Sequence, residues 1–142
     1  MTIREAEPED ARELAALLAE LGYPDEDETV RERARAFAAD RSSFLLVAER
    51  DGRLVGLASA SVMPLLHERG SWCRLSALVV SRDSRRLGIG RQLVSGVEAR
   101  ARGAGCRYLE VTSGGRPDRE AAHAFYEALG LEQVSRRYLR EL

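Results

Sequence analysis

Arg82, Arg85, Arg86 and Arg91 crowd around Gly88 and Gly90, shortly after the apolar run Leu78-Val79-Val80. An apolar strand followed by a loop and a helix start leaves unpaired N–H groups and the positive end of a helix dipole facing whatever sits at the loop. Glycine has no side chain to hold an anion away from the main chain, and guanidinium groups neutralise its charge. The stretch is a candidate site for a phosphorylated ligand. A dinucleotide fingerprint would need a third glycine where Leu93 stands, although Glu110 lies about twenty residues on, where its ribose-binding acid belongs. A triphosphate-binding loop would need Lys-Ser or Lys-Thr after the glycines, and neither is there. For a bare Gly-x-Gly the plainer alternative is a turn under a solvated arginine face.

The elements that must position this loop follow from periodicity. Residues 2–6 suit a short strand, and Pro8 opens a helix that runs to Leu21 and stops at Gly22. Ala11, Leu14, Ala15, Leu18 and Leu21 share one face of it. A second helix starts at Asp27 as N-cap and runs to about Asp40, with Val30, Ala34, Phe37 and Ala38 inward. Segments 44–49 and 54–63 read as antiparallel strands joined by the turn Asp51-Gly52. Residues 72–80 form a buried central strand and 88–101 a helix with Leu93, Val94 and Val97 inward, broken by Gly103 and Gly105. A strand at 108–112, a helix from Arg119 to Leu129 closed by Gly130, and one or two strands in 131–142 complete the order.

With no repeat, linker or low-complexity tract, these elements are expected to form one α/β (α+β) domain over residues 1–142. The composition, 44% hydrophobic and 32% charged, suits a folded core. A net charge of -1 gives no overall field toward nucleic acid or an anionic membrane. Cys73 and Cys106 are too few for a disulfide framework or zinc site. The start lacks a secretory signal and no run of about eighteen apolar residues occurs, so a cytoplasmic location is expected.

A second pattern lies downstream: Ala122-His-Ala-Phe125-Tyr126-Glu-Ala-Leu-Gly130. Together with Arg85, Gly88 and Gly90 after the apolar strand, it resembles the signatures of the GNAT N-acetyltransferase superfamily. The first signature is Arg or Gln, two residues, Gly, one residue, then Gly or Ala. The second is an Ala followed by an aromatic-Tyr pair and a Gly soon after. The motif-level resemblance runs from about Leu75 to Leu131; before that it rests on the order of helices and strands.

This resemblance implies a single mixed, largely antiparallel sheet of six to seven strands with four helices on its two faces, its central strands splayed for acetyl-coenzyme A as cosubstrate. It implies that the backbone of Leu78, Val79 and Val80 pairs with the pantetheine arm as an added strand would. It implies that Arg85, Arg86, Leu87, Gly88, Ile89, Gly90 and Arg91 cradle the pyrophosphate. Tyr126 matches the position that donates a proton to the departing thiolate and is also counted among the cofactor contacts; the alternative is plain packing against Phe125.

The acceptor implied is an amine, and a lysine-like amine is neutral in only about one molecule in two thousand at pH 7. Many members carry a glutamate on the central strand for deprotonation, and the corresponding position here is Ser76. His67, Glu68 and Glu110 are weaker candidates acting through water; an acceptor of low pKa is the other solution. His123 is read as a helix histidine that caps, packs or faces water rather than catalyses, and Cys73 and Cys106 as small buried thiols rather than acyl carriers. The acidic stretch Asp25, Glu26, Asp27 and Glu28 either draws a cationic acceptor or serves the N-terminus of the second helix. Three functions stay open: acetylation of a small amine, acetylation of a protein or peptide, and a non-catalytic acyl-coenzyme A module. By analogy with relatives that dimerise through late strands, a homodimer is expected.

Overall fold

A turn that demands two left-handed residues organises the first half of the chain. Asp51 and Gly52 have φ of 52° and 73°, the pairing that matches the twist of a two-residue hairpin. They join Ser43–Arg50 (β2) to Arg53–Pro64 (β3) in antiparallel register. The computed structural model, which describes residues 1–112 and 120–142, divides into the units Met1–Thr112 and Ser113–Leu142.

In the first unit Thr2–Glu5 (β1) pairs antiparallel with β2, and Ser71–Val80 (β4) antiparallel with β3. Cys106–Val111 (β5) pairs parallel with β4, so the sheet runs β1-β2-β3-β4-β5. A 3-10 turn at Pro8–Asp10 leads into Ala11–Leu21 (α1), and Asp27–Ala39 (α2) follows. Gly22 ends α1 at φ 105°, and Tyr23 N donates to Leu18 O across the cap. Leu14, Leu17, Val30 and Ala34 pack against Val47, Leu54, Leu57 and Val79 in one buried cluster. Ile89–Gly103 (α3) lies on the opposite face, with Ile89, Leu93, Val97 and Ala101 buried. Its close approach is set by Gly56, where a Cβ would stand 3.0 Å from Leu93 Cδ1 and 3.1 Å from Val79 O.

One irregularity decides which side chains the sheet shows on each face. Leu57 and Ser59 pair with Val79 and Ala77, but Ala60 pairs with Leu75, leaving Ser76 as an extra residue in β4. The side-chain alternation of β4 is therefore reversed below Ser76. Val79 and Ala77 join the α1/α2 cluster, whereas the buried Cys73 and Leu75 turn toward α3. Trp72 and Arg74 then share the α1/α2 face, beyond the reach of those helices.

Several sequence expectations are corrected. The sheet has five strands among the described residues, not six to seven. Segment 131–142, expected to supply the last strands, forms no ladder; Val134, Tyr138, Leu139 and Leu142 are exposed. An alternating pattern makes a strand only where an edge takes up its N–H and C=O groups. The N-cap of α2 is Glu26, with Asp27 inside the first turn, and Ala38 is exposed. Helix α3 continues through Gly103, and it is Gly105, at φ 80°, that turns the chain. In the second unit Glu120–Ala128 (α4) is helical, while Arg119 lies outside the described residues.

Candidate active site

The loop between β4 and α3 is shaped by its own side chains before any ligand arrives. Arg85 donates from Nε to the carbonyl of Val80 at 3.3 Å, folding the loop back onto the strand that precedes it. Arg86 adopts φ 66° and Gly88 φ 75°, and Gly88 is the N-cap of α3 without any side-chain cap. The N–H groups of Ile89, Gly90 and Arg91 precede the first helical bond, from Gln92 N to Gly88 O. These amides face outward at the positive end of a helix with no acid in its first turn. Arg82, Arg86 and Arg91 have no acidic partner among the described residues, and Leu87 is exposed at the tip. Unspent amides and unpaired guanidinium groups at one place suit a pyrophosphate.

Glu20 accepts from Arg82 N at 3.0 Å, so the last turn of α1 fixes the entry to the loop. Sequence reasoning missed this tie, since nothing in the local pattern relates residues so far apart. It also counted Arg85 among the charges on the phosphate, whereas its side chain bonds the main-chain carbonyl of Val80.

Next to the loop, β5 follows β4 only as far as the pair Leu75 and Val111. Leu78, Val79 and Val80 therefore have β3 on one side and no described strand on the other. That is the free edge a pantetheine arm requires.

Ser76, at the register shift, bonds with Ser59 through the two hydroxyls at 2.9 Å and donates to Ser59 O at 3.2 Å. Its hydroxyl is committed and supplies no base. His67 and Glu68 are exposed in the loop before β4. Glu110 instead pairs with Arg74, which donates to Oε1 from Nη2 at 2.9 Å and from Nε at 3.2 Å.

The acidic stretch before α2 is largely spent. Asp25 binds Arg33 at 2.6 Å and accepts from Glu26 N at 2.9 Å; those two contacts, the backbone one foremost, hold its carboxyl below the ordinary range. Glu28 pairs with Arg31 at 2.6 Å. Burial, with Cys106 nearby, raises the Cys73 thiol to about 11, and burial also raises Cys106. Neither thiol has the character of a nucleophile at neutral pH.

In the second unit Tyr126 is half-buried, its ring edge-on to Phe125 with centroids 5.5 Å apart. Leu131 N donates to Tyr126 O at 3.1 Å and Gly130 N to Glu127 O at 2.9 Å, with Gly130 at φ 87°. This closes α4 in a Schellman arrangement and fixes the backbone that carries the phenol. Both the packing contact and the polar handle of Tyr126 are thus present. His123 is half-buried on the same helix.

A mixed sheet whose fourth strand leads through a loop to an uncapped, arginine-lined helix start suits a phosphorylated ligand. Residues 9–131 match the Acetyltransferase (GNAT) family, and the chain belongs to that family. It is 33% identical to the aminoglycoside N(6')-acetyltransferase type 1 of Stenotrophomonas maltophilia, over 95% of this chain and 88% of that one. It is 30% identical to the aminoalkylphosphonate N-acetyltransferase of Salmonella typhimurium LT2, over 99% of this chain and 90% of that one. The fold also matches aminoglycoside N-acetyltransferase AAC(6')-Iy in complex with CoA, with TM-score 0.87, 19% identity, and 99% and 93% of the two chains covered. The protein is an N-acetyltransferase with acetyl-coenzyme A as cosubstrate.

Proposed function

We propose that this enzyme acetylates the primary amine of a small molecule by direct transfer. The observation that carries the reading is the uncapped start of α3, with Gly88, Ile89, Gly90 and Arg91 presenting main-chain amides beside unpaired arginines. Arg85, Arg86 and Leu87 complete the cradle for the pyrophosphate, and Leu78, Val79 and Val80 offer the free edge for the arm. Both curated relatives are named for small amine-bearing acceptors, which supports a small molecule over a protein.

Acetyl-coenzyme A supplies a thioester carbonyl. Outward-facing amides at the end of β4 stabilise charge developing on its oxygen as the amine adds. Tyr126, which matches the family's proton donor, protonates the sulfur as the carbon–sulfur bond breaks. With Ser76 committed to Ser59, the amine loses its proton to solvent, and an acceptor of lowered pKa is favoured.

In this reading residues 1–142 act as one domain, which the family match across both units supports. No described helix is long and apolar enough to cross a membrane. The free thiols and the intracellular cosubstrate favour the cytoplasm. The exposed apolar side chains of 131–142 favour self-association, measurable by sedimentation.

The reading is tested by following thiol release with acetyl-coenzyme A and a panel of amines and peptides. A small amine should give the highest kcat/KM; turnover confined to peptides overturns the acceptor class. For Tyr126→Phe, kcat should fall by about 100-fold with coenzyme A affinity unchanged. Unchanged turnover at every pH removes the proton-donor role.

A further inference from the structure

Helix α1 carries two acids seven residues apart, Glu13 and Glu20, and each spends its carboxylate on a main-chain N–H at the edge of the sheet. Seven residues are two turns of helix, about 10 Å along one side. Glu13 accepts from Leu54 N at 2.8 Å, at the start of β3, and Glu20 from Arg82 N at 3.0 Å, just past the end of β4. Between these two points Ser81 N donates to Val55 O at 2.9 Å and ties the strand ends to each other. We propose that Glu20 is a positioning residue for acetyl-coenzyme A, holding from α1 the 3-10 turn Arg82–Ser84 that opens the phosphate loop. The inference rests on the reading of that loop as the pyrophosphate site.

The turn has no cap of its own. Its N-cap is Ser81, whose side chain makes no capping bond. Ser84 N closes the turn onto Ser81 O at 2.9 Å, but the N–H of Arg82 comes first and has no carbonyl partner inside the turn. Glu20 supplies the missing acceptor from a helix sixty-two residues earlier in the chain. The bond takes the main-chain N–H and leaves the guanidinium of Arg82 without an acidic partner among the described residues.

The charge of Glu20 is wrong for its surroundings, so its value lies in the hydrogen bond. An acid in the last turn of a helix stands against the dipole, and α1 has no basic residue there to offset it. A carboxylate at the entrance to an anion site also repels the ligand. Its footing is firm nevertheless. Leu14 and Leu17 anchor α1 in the core, and the bonds from Gly22 N to Ala19 O and from Tyr23 N to Leu18 O close the turn that carries Glu20. The start of the loop is thereby registered to the core through one side chain.

Calorimetry with coenzyme A on the full chain tests the assignment. Glu20→Ala should weaken binding by about tenfold. Glu20→Gln, which keeps an acceptor oxygen and drops the charge, should stay within about threefold of the parent. Glu13→Ala is the structural control: thermal melting should show a loss of stability while coenzyme A affinity holds. The decisive comparison uses two backgrounds. Arg82→Pro deletes the N–H itself, and the ψ of 144° at Ser81 is one that a residue before proline adopts. Arg82→Ala deletes only the guanidinium. Adding Glu20→Ala should cost about tenfold again in the Arg82→Ala chain and leave the Arg82→Pro chain unchanged.

Unchanged affinity in Glu20→Ala, equal losses in Glu20→Ala and Glu20→Gln, an equal loss in Glu13→Ala, or the same added cost in both backgrounds each overturns the assignment. Where the parent chain binds coenzyme A and one of these results appears, the assignment alone falls. If the parent shows no binding, the reading of the loop falls with it.

Discussion

The two ends of β4 offer different means of binding. Beyond Val80 the chain offers main-chain amides, held in place by Gly88 at φ 75°, by the bond from Arg85 to Val80 O, and by Glu20 on Arg82 N. Below Ser76 it offers side chains: Arg74 against Glu110, Trp72 against Tyr108. A main-chain site can be damaged by any side chain that intrudes, yet tolerates exchange of its surface charges. A side-chain site behaves the opposite way, since each group is one replaceable contact on a backbone that stays put.

The sharpest way to break this comparison is at Gly90. Gly90→Val should lower coenzyme A affinity by about 100-fold in calorimetry, because a branched side chain displaces the anion from several amides at once. Arg91→Ala, removing one exposed charge, should cost about tenfold or less, and that loss should shrink as salt rises. If Arg91→Ala does the greater damage, the site is a charge cluster rather than an amide cradle.

Gly56→Ala probes the support beneath the loop. The new Cβ would stand 3.1 Å from Val79 O, a main-chain atom that cannot step aside, and 3.0 Å from Leu93. Thermal or urea unfolding should show a loss of about 1–3 kcal/mol. Coenzyme A affinity should fall with it as the start of α3 shifts. Unchanged affinity would mean that the loop keeps its shape without the docking of α3.

The smallest effect is expected far from both ends. Asp10 accepts from Arg4 at 2.8 and 3.0 Å and from Glu7 N at 2.8 Å, and the Arg4 bonds foremost hold its carboxyl below the usual range. A carboxyl depressed in the folded state stabilises above the unfolded value near pH 4, and loses that contribution as pH falls through the folded one. Asp10→Asn should cost about 1 kcal/mol at pH 7 and flatten the decline of stability below pH 4. Its KM values for both substrates should match those of the parent protein.

Legibility in the sequence follows the same division. The turn into α3 could be read directly because glycine is a local mark, and Gly88 takes the positive φ that favours it. The hairpin at Asp51-Gly52 and the stop of α1 at Gly22 were legible for the same reason, each requiring positive φ. The meeting of Arg74 with Glu110 and of Trp72 with Tyr108 on one sheet face was not. It depends on Ser76 being an extra residue opposite Ser59, and an isolated strand pattern gives no sign of where its partner skips a residue. The last strands failed for a related cause: alternation in 131–142 states which residues could share a face, not whether an edge receives them. The N-cap at Glu26 instead of Asp27 shows a milder limit, since four adjacent acids offer the helix several starts.

The extra residue at Ser76 also shapes how such a chain can change over time. Removing it would carry Trp72 and Arg74 into the apolar layer under α3 and swing Cys73 and Leu75 out to water, undoing a whole face in one event. Point exchanges below it, by contrast, alter the contacts of Arg74 and Trp72 one at a time while the upper strand keeps its shape. A lineage in which the extra residue is kept can therefore vary one face of the lower strand without disturbing the other.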